Sequence, residues 1–162
     1  MSRSLMSRSF RAAVLAAIVG AMVVSATAAG GAGGAKILDD GLVGIPESAV
    51  KQVLQGVTGG GLPWRLDRGS VHLFADGRLQ LSVQGLVLAA GGSAGTNPVP
   101  TARAIVTCAG APAAMSSIVP YSPQGDAMID ETIDLPTGCL APAVFFAGIT
   151  GGGPRWFAVT GW

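Results

Sequence analysis

The stretch Gly69–Gly85 constrains the fold more than any other part of the chain. Apolar and polar residues alternate on both sides of the turn-forming tripeptide at positions 75–77. A one-residue slip moves every side chain of a strand to the opposite face, so the side chains reveal the register. Only a three-residue loop yields one apolar and one polar face, and such a loop has a left-handed position where Gly77 stands. The sequence therefore predicts an antiparallel hairpin.

The register of this hairpin also places the chain's single histidine. Leu73 lies opposite Leu79 on the apolar face, and His72 lies beside Gln80 on the polar face. A histidine on a polar strand face is most simply a solvated side chain. A Ser/His/Asp hydrolase would have to use His72. We therefore expect no catalytic role for it and no enzymatic activity in the protein.

Residues 1–28 have the three parts of a secretory signal peptide. Three arginines precede an apolar run at residues 12–24, and Ala26-Thr27-Ala28 supplies the small-x-small cleavage pattern. The apolar run is short for a membrane span, which needs about 20 residues. An uncleaved anchor is the alternative. We expect cleavage, no membrane span afterwards, and a protein that is secreted or periplasmic.

Charge and composition bound what the remaining chain can bind. Cleavage would remove three of the ten basic residues and leave seven against nine acidic ones, a formal net charge of −2. This balance gives no electrostatic attraction to nucleic acid or to an anionic membrane. Residues 29–45 are rich in glycine near their start and are predicted to be a flexible lead-in. Residues 46–162 are predicted to form one domain.

Two cysteines, Cys108 and Cys139, lie in the part that would be exported. An even number of cysteines in an oxidising compartment indicates a disulfide. A bridge that closes a loop of about thirty residues contributes roughly 3–4 kcal/mol in the chain-entropy account. The spacing is not that of a Cys-x-x-Cys redox or zinc motif. We predict a structural disulfide and no cofactor.

Short alternating segments separated by Gly, Pro and Asn recur over residues 64–161. Seven or eight strands at such intervals predict an all-β protein, a single antiparallel β-sandwich of immunoglobulin-like or jelly-roll-like type. A small β-barrel is the alternative. At most one short helix is expected, over residues 46–55, where the apolar residues have helical spacing. The same residues could form a first strand.

Several motifs of the chain resemble those of small secreted bacterial proteins of uncharacterised function. They are Gly-Gly-Gly-Leu-Pro-Trp at 59–64, Ala-Asp-Gly-Arg-Leu at 75–79, Gly-Leu-Val-Leu at 85–88, the two cysteines, and Phe-Ala-Val-Thr-Gly at 157–161. The resemblance implies an exported all-β domain and favours a strand over residues 51–57. Its motifs are turns and strands, so it assigns no functional residue.

Four aromatic residues are the candidate ligand-binding side chains: Trp64, Tyr121, Trp156 and Trp162. Planar side chains exposed on a β-sandwich could stack against sugar rings. The alternative is that they fill the core and close its ends, since aromatic side chains mostly contribute buried area. In the last strand, alternation would put Trp156 and Trp162 on the face opposite Phe157 and Val159.

Three aspartates, Asp126, Asp130 and Asp134, share one face of a predicted strand. A solvated strand face explains them, and calcium binding is the alternative because carboxylate oxygens suit that ion. Glu131 points to the opposite, apolar face and could lie at a sheet edge or pair with Arg103.

Two glycine runs, Gly59–Gly61 and Gly151–Gly153, lack the lysine and hydroxyl residue of a phosphate-binding loop and are predicted to be turns. The sequence as a whole predicts a secreted, non-catalytic binding module that recognises a glycan or a protein. The alternatives are a self-associating structural protein and, last, a small hydrolase.

The export hypothesis predicts the mass of the secreted chain. When the gene is expressed in a bacterium, the exported protein should begin at Ala29, because cleavage follows the small-x-small pattern. Intact-mass spectrometry and N-terminal sequencing of the medium and periplasm check this. Replacement of Ala26 and Ala28 by bulky residues should block processing. A wild-type product that keeps residues 1–28 in the membrane fraction would contradict the prediction.

Overall fold

The computed structural model of the protein describes residues 34–161, and nearly all of its regular structure is β-strand. A single turn of 3-10 helix, Glu47–Ala49, is the helical element of this range. The strands are β1 (Lys36–Gly44), β2 (Val53–Leu54), β3 (Val57–Thr58), β4 (Trp64–Arg65), β5 (Arg68–Phe74), β6 (Arg78–Gln84), β7 (Val87–Leu88), β8 (Thr101–Cys108), β9 (Ala111–Met115), β10 (Val119–Pro120), β11 (Ala127–Thr132), β12 (Ala143–Thr150) and β13 (Gly153–Thr160). The all-β prediction is confirmed.

One nine-stranded antiparallel sheet organises the domain. Its order is β10-β8-β12-β13-β1-β5-β6-β11, with β9 paired to β8 beside β10. The first part of β1 pairs with β5 and its last three residues pair with β13. The predicted sandwich differs in this respect, because both halves belong to one sheet that β1 joins.

The sheet curls until its two ends approach each other. Strands β10 and β8 from one end contact β11 from the other. The side chains on the inner face form a continuous apolar core that includes the packed rings of Trp64, Phe157, Tyr121 and Phe146. The architecture is therefore closer to the small β-barrel, which was the alternative prediction, than to a sandwich of two separate sheets. Two small sheets, β2–β3 and β4–β7, complete it.

The hairpin predicted from residues 69–85 is confirmed in its register. Leu73 pairs with Leu79, and His72 pairs with Gln80. Gly77 has a φ of 87° and donates its N–H to Phe74 O at 3.0 Å, as the three-residue loop requires. The apolar side chains of β5 and β6 are buried, and the opposite face is polar.

The first part of the domain differs from the prediction in two places. Lys36–Gly44 form β1, so the flexible lead-in predicted for residues 29–45 is wrong over this strand. The helix predicted for residues 46–55 is reduced to the turn at Glu47–Ala49, and strands β2 and β3 follow it. Their connecting residues Gln55 and Gly56 both have positive φ, as a two-residue type I′ turn requires. The helix predicted from the spacing of the apolar residues does not form because this turn reverses the chain.

A β-bulge in β13 brings Trp156 and Val159, three residues apart, to the same face of the sheet. Phe146 pairs with Ala158 and Ala147 pairs with Trp156, so Phe157 has no partner in the ladder. Trp156 and Val159 point to the outer face beside Phe145, whereas Phe157 stacks on Trp64 in the inner core. The alternation predicted for this strand, with Trp156 opposite Val159, is therefore wrong.

The first glycine run passes directly over this bulge and is not a simple turn. Gly60 donates its N–H to Trp156 O at 3.0 Å, and Gly59 forms a parallel bridge with Trp156. A Cβ at Gly59 would lie 3.2 Å from the Trp156 ring, and one at Gly60 would lie 3.1 Å from the Phe157 ring. The run is glycine because the backbone lies against two aromatic side chains. Gly151–Gly153, in contrast, form the predicted turn between β12 and β13.

The predicted disulfide between Cys108 and Cys139 is confirmed, with Cα atoms 5.1 Å apart. It connects the end of β8 to the loop that precedes β12. Within residues 34–161 no helix is long and apolar enough to cross a membrane. The signal peptide predicted at residues 1–28 lies outside the described residues.

Gly148 in β12 tests the packing at the bulge. A Cβ at this position would overlap the ring of Phe157, which is fully buried against Trp64. Gly148→Ala should lower the free energy of unfolding by about 1–3 kcal/mol through overpacking. The control is Gly151→Ala, where a Cβ meets nothing within 4 Å and the effect should be within about 0.5 kcal/mol.

Chemical denaturation followed by tryptophan fluorescence measures both variants. Adding Phe157→Leu to Gly148→Ala should recover part of the loss, because the smaller side chain makes room for the new methyl group. Equal stabilities of the Gly148 and Gly151 variants would contradict this description of the core.

Candidate functional site

The predicted aromatic platform does not exist among the described residues. Trp64 is 5% exposed, Tyr121 3% and Trp156 0%. Tyr121 packs edge-on against Phe146, and its hydroxyl donates to Leu86 O. Burial raises the pKa of the Tyr121 phenol. These three side chains are core residues, so the stacking hypothesis is wrong for them, and Trp162 lies outside the described residues.

The three candidate calcium ligands are not assembled into an ion site. Asp126 Oδ1 accepts the Gly85 N–H at 3.0 Å, and Asp130 Oδ2 lies 3.5 Å from Gln80 Nε2. Within residues 34–161 no group of three or more Asp, Glu, His or Cys side chains is arranged to hold a metal ion. The alternation of the strand was predicted correctly, but Asp126 and Asp134 lie beyond its two ends.

Glu131 lies in β11, the strand at one end of the sheet, as one of the two sequence hypotheses proposed. Its Oε1 accepts the Ser117 N–H at 2.6 Å, and Ser117 belongs to the segment between β9 and β10 at the other end. No ion pair within the described residues joins Glu131 to Arg103, the second hypothesis. The carboxylate therefore links the two ends of the curled sheet.

A polar face covers the outer side of β5, β6 and β11. Its residues are Arg68, Ser70, His72 and Phe74 from β5, Arg78, Gln80, Ser82 and Gln84 from β6, and Met128, Asp130 and Thr132 from β11. The register aligns them in cross-strand rows, with Ser70 beside Ser82 and Ser82 beside Met128. The side chains that alternate with them fill the core. Hydroxyl, amide and charged groups occupy most of this face, and Phe74 and Met128 are its apolar members.

Two open grooves run over the polar face and meet where β5 begins and β6 ends. Their volumes are about 860 Å³ and about 570 Å³. Both are lined by Asp67, Arg68, Ser82 and Gln84, and we call their union the joined groove. A smaller groove of about 160 Å³ continues from Ser82 toward His72. Ser82 lines all three grooves and marks the middle of the face.

One wall of the joined groove is built by contacts between distant parts of the chain. Gly85 donates to Asp126, and Leu86 N donates to Gly125 O at 3.0 Å. A Cβ at Gly125 would lie 2.5 Å from Leu86 backbone atoms, so only glycine permits this approach. These contacts hold Gln124 and Asp126 beside the end of β6, where both line the groove.

Asn97 fixes the same wall from behind, and the sequence analysis did not single it out. This buried side chain donates from Nδ2 to Ser122 O at 2.8 Å and to Val99 O at 2.7 Å, and its Oδ1 accepts the Val99 N–H. A buried amide with its donors and acceptor satisfied stabilises a unique loop conformation. The Asn-Pro dipeptide in a long loop was the available signal.

Among the charged side chains of the joined groove, the two aspartates have partners within the protein and the arginine has none among the described residues. Asp67 Oδ1 lies 3.2 Å from Arg65 Nη1, and Asp126 accepts the Gly85 N–H. Arg68 forms no ion pair or side-chain hydrogen bond with any described residue. The guanidinium at the meeting point of the grooves is therefore available to a ligand.

His72 lies at the far end of the face, as predicted, and faces a carboxylate. Its Nδ1 is 2.8 Å from Asp39 Oδ1, although no aligned hydrogen-bond partner within the described residues satisfies this nitrogen. Asp39 also accepts a hydrogen bond from Lys36 Nζ at 2.8 Å. No described hydroxyl group donates to His72. The arrangement is that of a solvated ionic cluster.

Comparison of the chain with protein-family models, with curated proteins and with solved structures finds no match. The resemblance to small secreted bacterial proteins therefore stays a prediction.

Lys36 should control the ionisation of Asp39 at the edge of the polar face. The hydrogen bond from Lys36, followed by the charges of Lys36 and His72, holds the pKa of Asp39 below its ordinary value of 3.8. The lowered pKa favours the folded state above the unfolded pKa, and this contribution is lost as the pH falls through the folded value.

Lys36→Gln should raise the pKa of Asp39, whereas Lys51→Gln, which removes a lysine that makes no contact with Asp39, should leave it unchanged. NMR titration of the Asp39 carboxyl carbon measures both variants. An Asp39 pKa that is the same with and without Lys36 would show that the ion pair does not persist in solution.

Proposed function

We propose that this protein is an exported, non-catalytic binding protein that acts in the cell envelope or outside the cell and recognises a glycan or a protein through the polar face. The observation that carries the proposal is the joined groove, whose central side chains are Arg68, Ser82 and Gln84. An open groove lined by hydrogen-bonding side chains on rigid strands suits an extended polar ligand.

The chemistry of the face supports binding more than catalysis. Its hydroxyl and amide groups can orient a ligand, whereas His72 is engaged by Asp39 at the edge of the face. Strand β6 pairs with β5 at six positions and with β11 at six positions, so the side chains that these strands carry on the polar face are fixed relative to one another. This preorganisation reduces the entropy lost when a ligand binds.

Self-association is the second candidate function, and exposed apolar side chains favour it. Val43 is 46% exposed and Val53 61% exposed, and both lie on the side of the protein formed by β13, β2 and β3. An open groove of about 440 Å³ with Leu54, Phe145 and Val159 in its lining lies in the same region. Exposed apolar patches commonly mark contacts between proteins.

A substitution that fills the polar face separates the two functions. Ser82→Tyr adds bulk at the residue that all three grooves share, and tyrosine is well tolerated in strands. The exported protein, first sized by gel filtration, is tested against purified peptidoglycan, a polysaccharide panel and envelope protein extracts by co-sedimentation and calorimetry.

Wild-type protein should bind one of these ligands and Ser82→Tyr should weaken the binding at least tenfold. The control Ser93→Tyr, in an exposed loop that lines none of the three grooves, should bind like the wild type. Binding that is equal in both variants would overturn the proposal for the polar face. Concentration-dependent assembly with no ligand bound would favour self-association.

A further inference from the structure

The position of Arg68 indicates what part of a ligand the joined groove would hold. Arg68 begins β5 and lies directly opposite Gln84, and the next outward pair along the same two strands is Ser70 and Ser82. A guanidinium, an amide and two hydroxyl groups therefore lie together at the meeting point of the grooves. This set is rich in hydrogen-bond donors.

A planar guanidinium without an internal partner is best satisfied by a planar anion. The fork of two N–H groups matches the two oxygens of a carboxylate, and such a bond is stronger than one between neutral groups. Arg68 has no ion-pair partner among residues 34–161. A ligand carboxylate would supply that partner.

The rim of the groove has the opposite character. Asp67 and Asp126 both line the larger groove beside Gly85, and each uses one oxygen in an internal contact. Their remaining acceptor positions can receive hydrogen bonds from hydroxyl groups. They would also repel a chain that carries closely spaced charges, such as a polyphosphate. The site thus suits a hydroxyl-rich chain that carries no more than one carboxylate on each sugar ring.

A glycan fits these features better than a protein partner. Protein interfaces depend on aromatic, arginine and apolar anchors that become fully desolvated. The joined groove offers one strongly exposed apolar side chain, Met128 at 72%, and the aromatic residues of the chain that lie in the described range are elsewhere. Polar side chains that can bond to hydroxyl groups contribute about half of its lining, and the apolar half includes Leu42, Leu66 and Ala127.

We infer that the joined groove binds an acidic polysaccharide of the uronic acid class, with Arg68 holding a sugar carboxylate and Asp67 and Asp126 accepting hydrogen bonds from sugar hydroxyls. The inference rests on the proposed function of the polar face. It adds the ligand class and the residue that discriminates charged from neutral chains.

The test compares chains that differ only in their carboxylates. Polygalacturonate and its methyl ester, with alginate and hyaluronate as further uronate chains and dextran as a neutral chain, are titrated into the exported protein. The variants are Arg68→Gln, Arg68→Lys, and the matched control Arg155→Gln, whose side chain lines none of the three grooves of the polar face. Circular dichroism checks that each variant is folded.

The expected result is binding of at least one uronate chain, loss of about tenfold or more on methyl esterification, and a similar loss in Arg68→Gln. Arg68→Lys should bind between the two, because it keeps the charge without the fork, and Arg155→Gln should bind like the wild type. Equal weakening by Arg155→Gln would mean unspecific attraction of a polyanion and would overturn the inference.

Two other outcomes separate the inference from the proposed function. Binding of dextran or the methyl ester that Ser82→Tyr abolishes and Arg68→Gln leaves intact would overturn the inference and keep the polar face as a glycan site. Binding of an envelope protein in place of any polysaccharide would also overturn the inference. If Ser82→Tyr abolished that protein binding, the proposed function of the polar face would still stand.

Discussion

The burial of Trp156 and Phe157 on opposite faces of one strand is the constraint on which the rest of the structure depends. Adjacent side chains of a strand point to opposite faces, so the two rings need space on both sides of β13, and the bulge at Phe157 brings Val159 to the face of Trp156. The inner ring stacks on Trp64 with ring centroids 3.9 Å apart. The outer ring lies under Gly59 and donates from Nε1 to Gln52 O, so the segment that holds β2 and β3 becomes a cover. Gly59, Gly60 and Gly148 are glycine because a side chain at any of these positions would crowd the ring of Trp156 or Phe157.

The sequence predicted those elements whose two faces differ in polarity. The β5–β6 hairpin has one buried face and one solvent-exposed face, so the alternation of apolar and polar side chains is enough to determine its register. Strand β13 is covered on both sides, so alternation carries no information there, and a bulge breaks it in any case. Strand β1 was missed because Asp39, Asp40 and Gly41 interrupt its apolar residues while its pairing partners lie far along the chain.

The candidate site likewise has one part that the sequence predicted and another part that it could not. The hairpin register placed His72, Gln80 and Ser82 on a polar face from the sequence alone, and the structure adds Gln84 to the same face. The groove itself could not be predicted, because its wall requires Gly85 to meet Asp126, which is 41 residues away. The aromatic residues looked like binding residues because few were present, and the structure instead buries Trp64, Tyr121 and Trp156 in the apolar core.

The contact between Glu131 and Ser117 has a consequence for how the sheet ends. A terminal strand with unsatisfied backbone donors invites pairing with another molecule, and natural proteins protect such edges. Here each end of the strand order is turned toward the other, and the carboxylate of β11 accepts a backbone N–H of the opposite edge. Glu131 thereby occupies a backbone donor of the opposite edge and, together with the contacts of β8 and β10 with β11, keeps the two ends of the sheet turned away from other molecules.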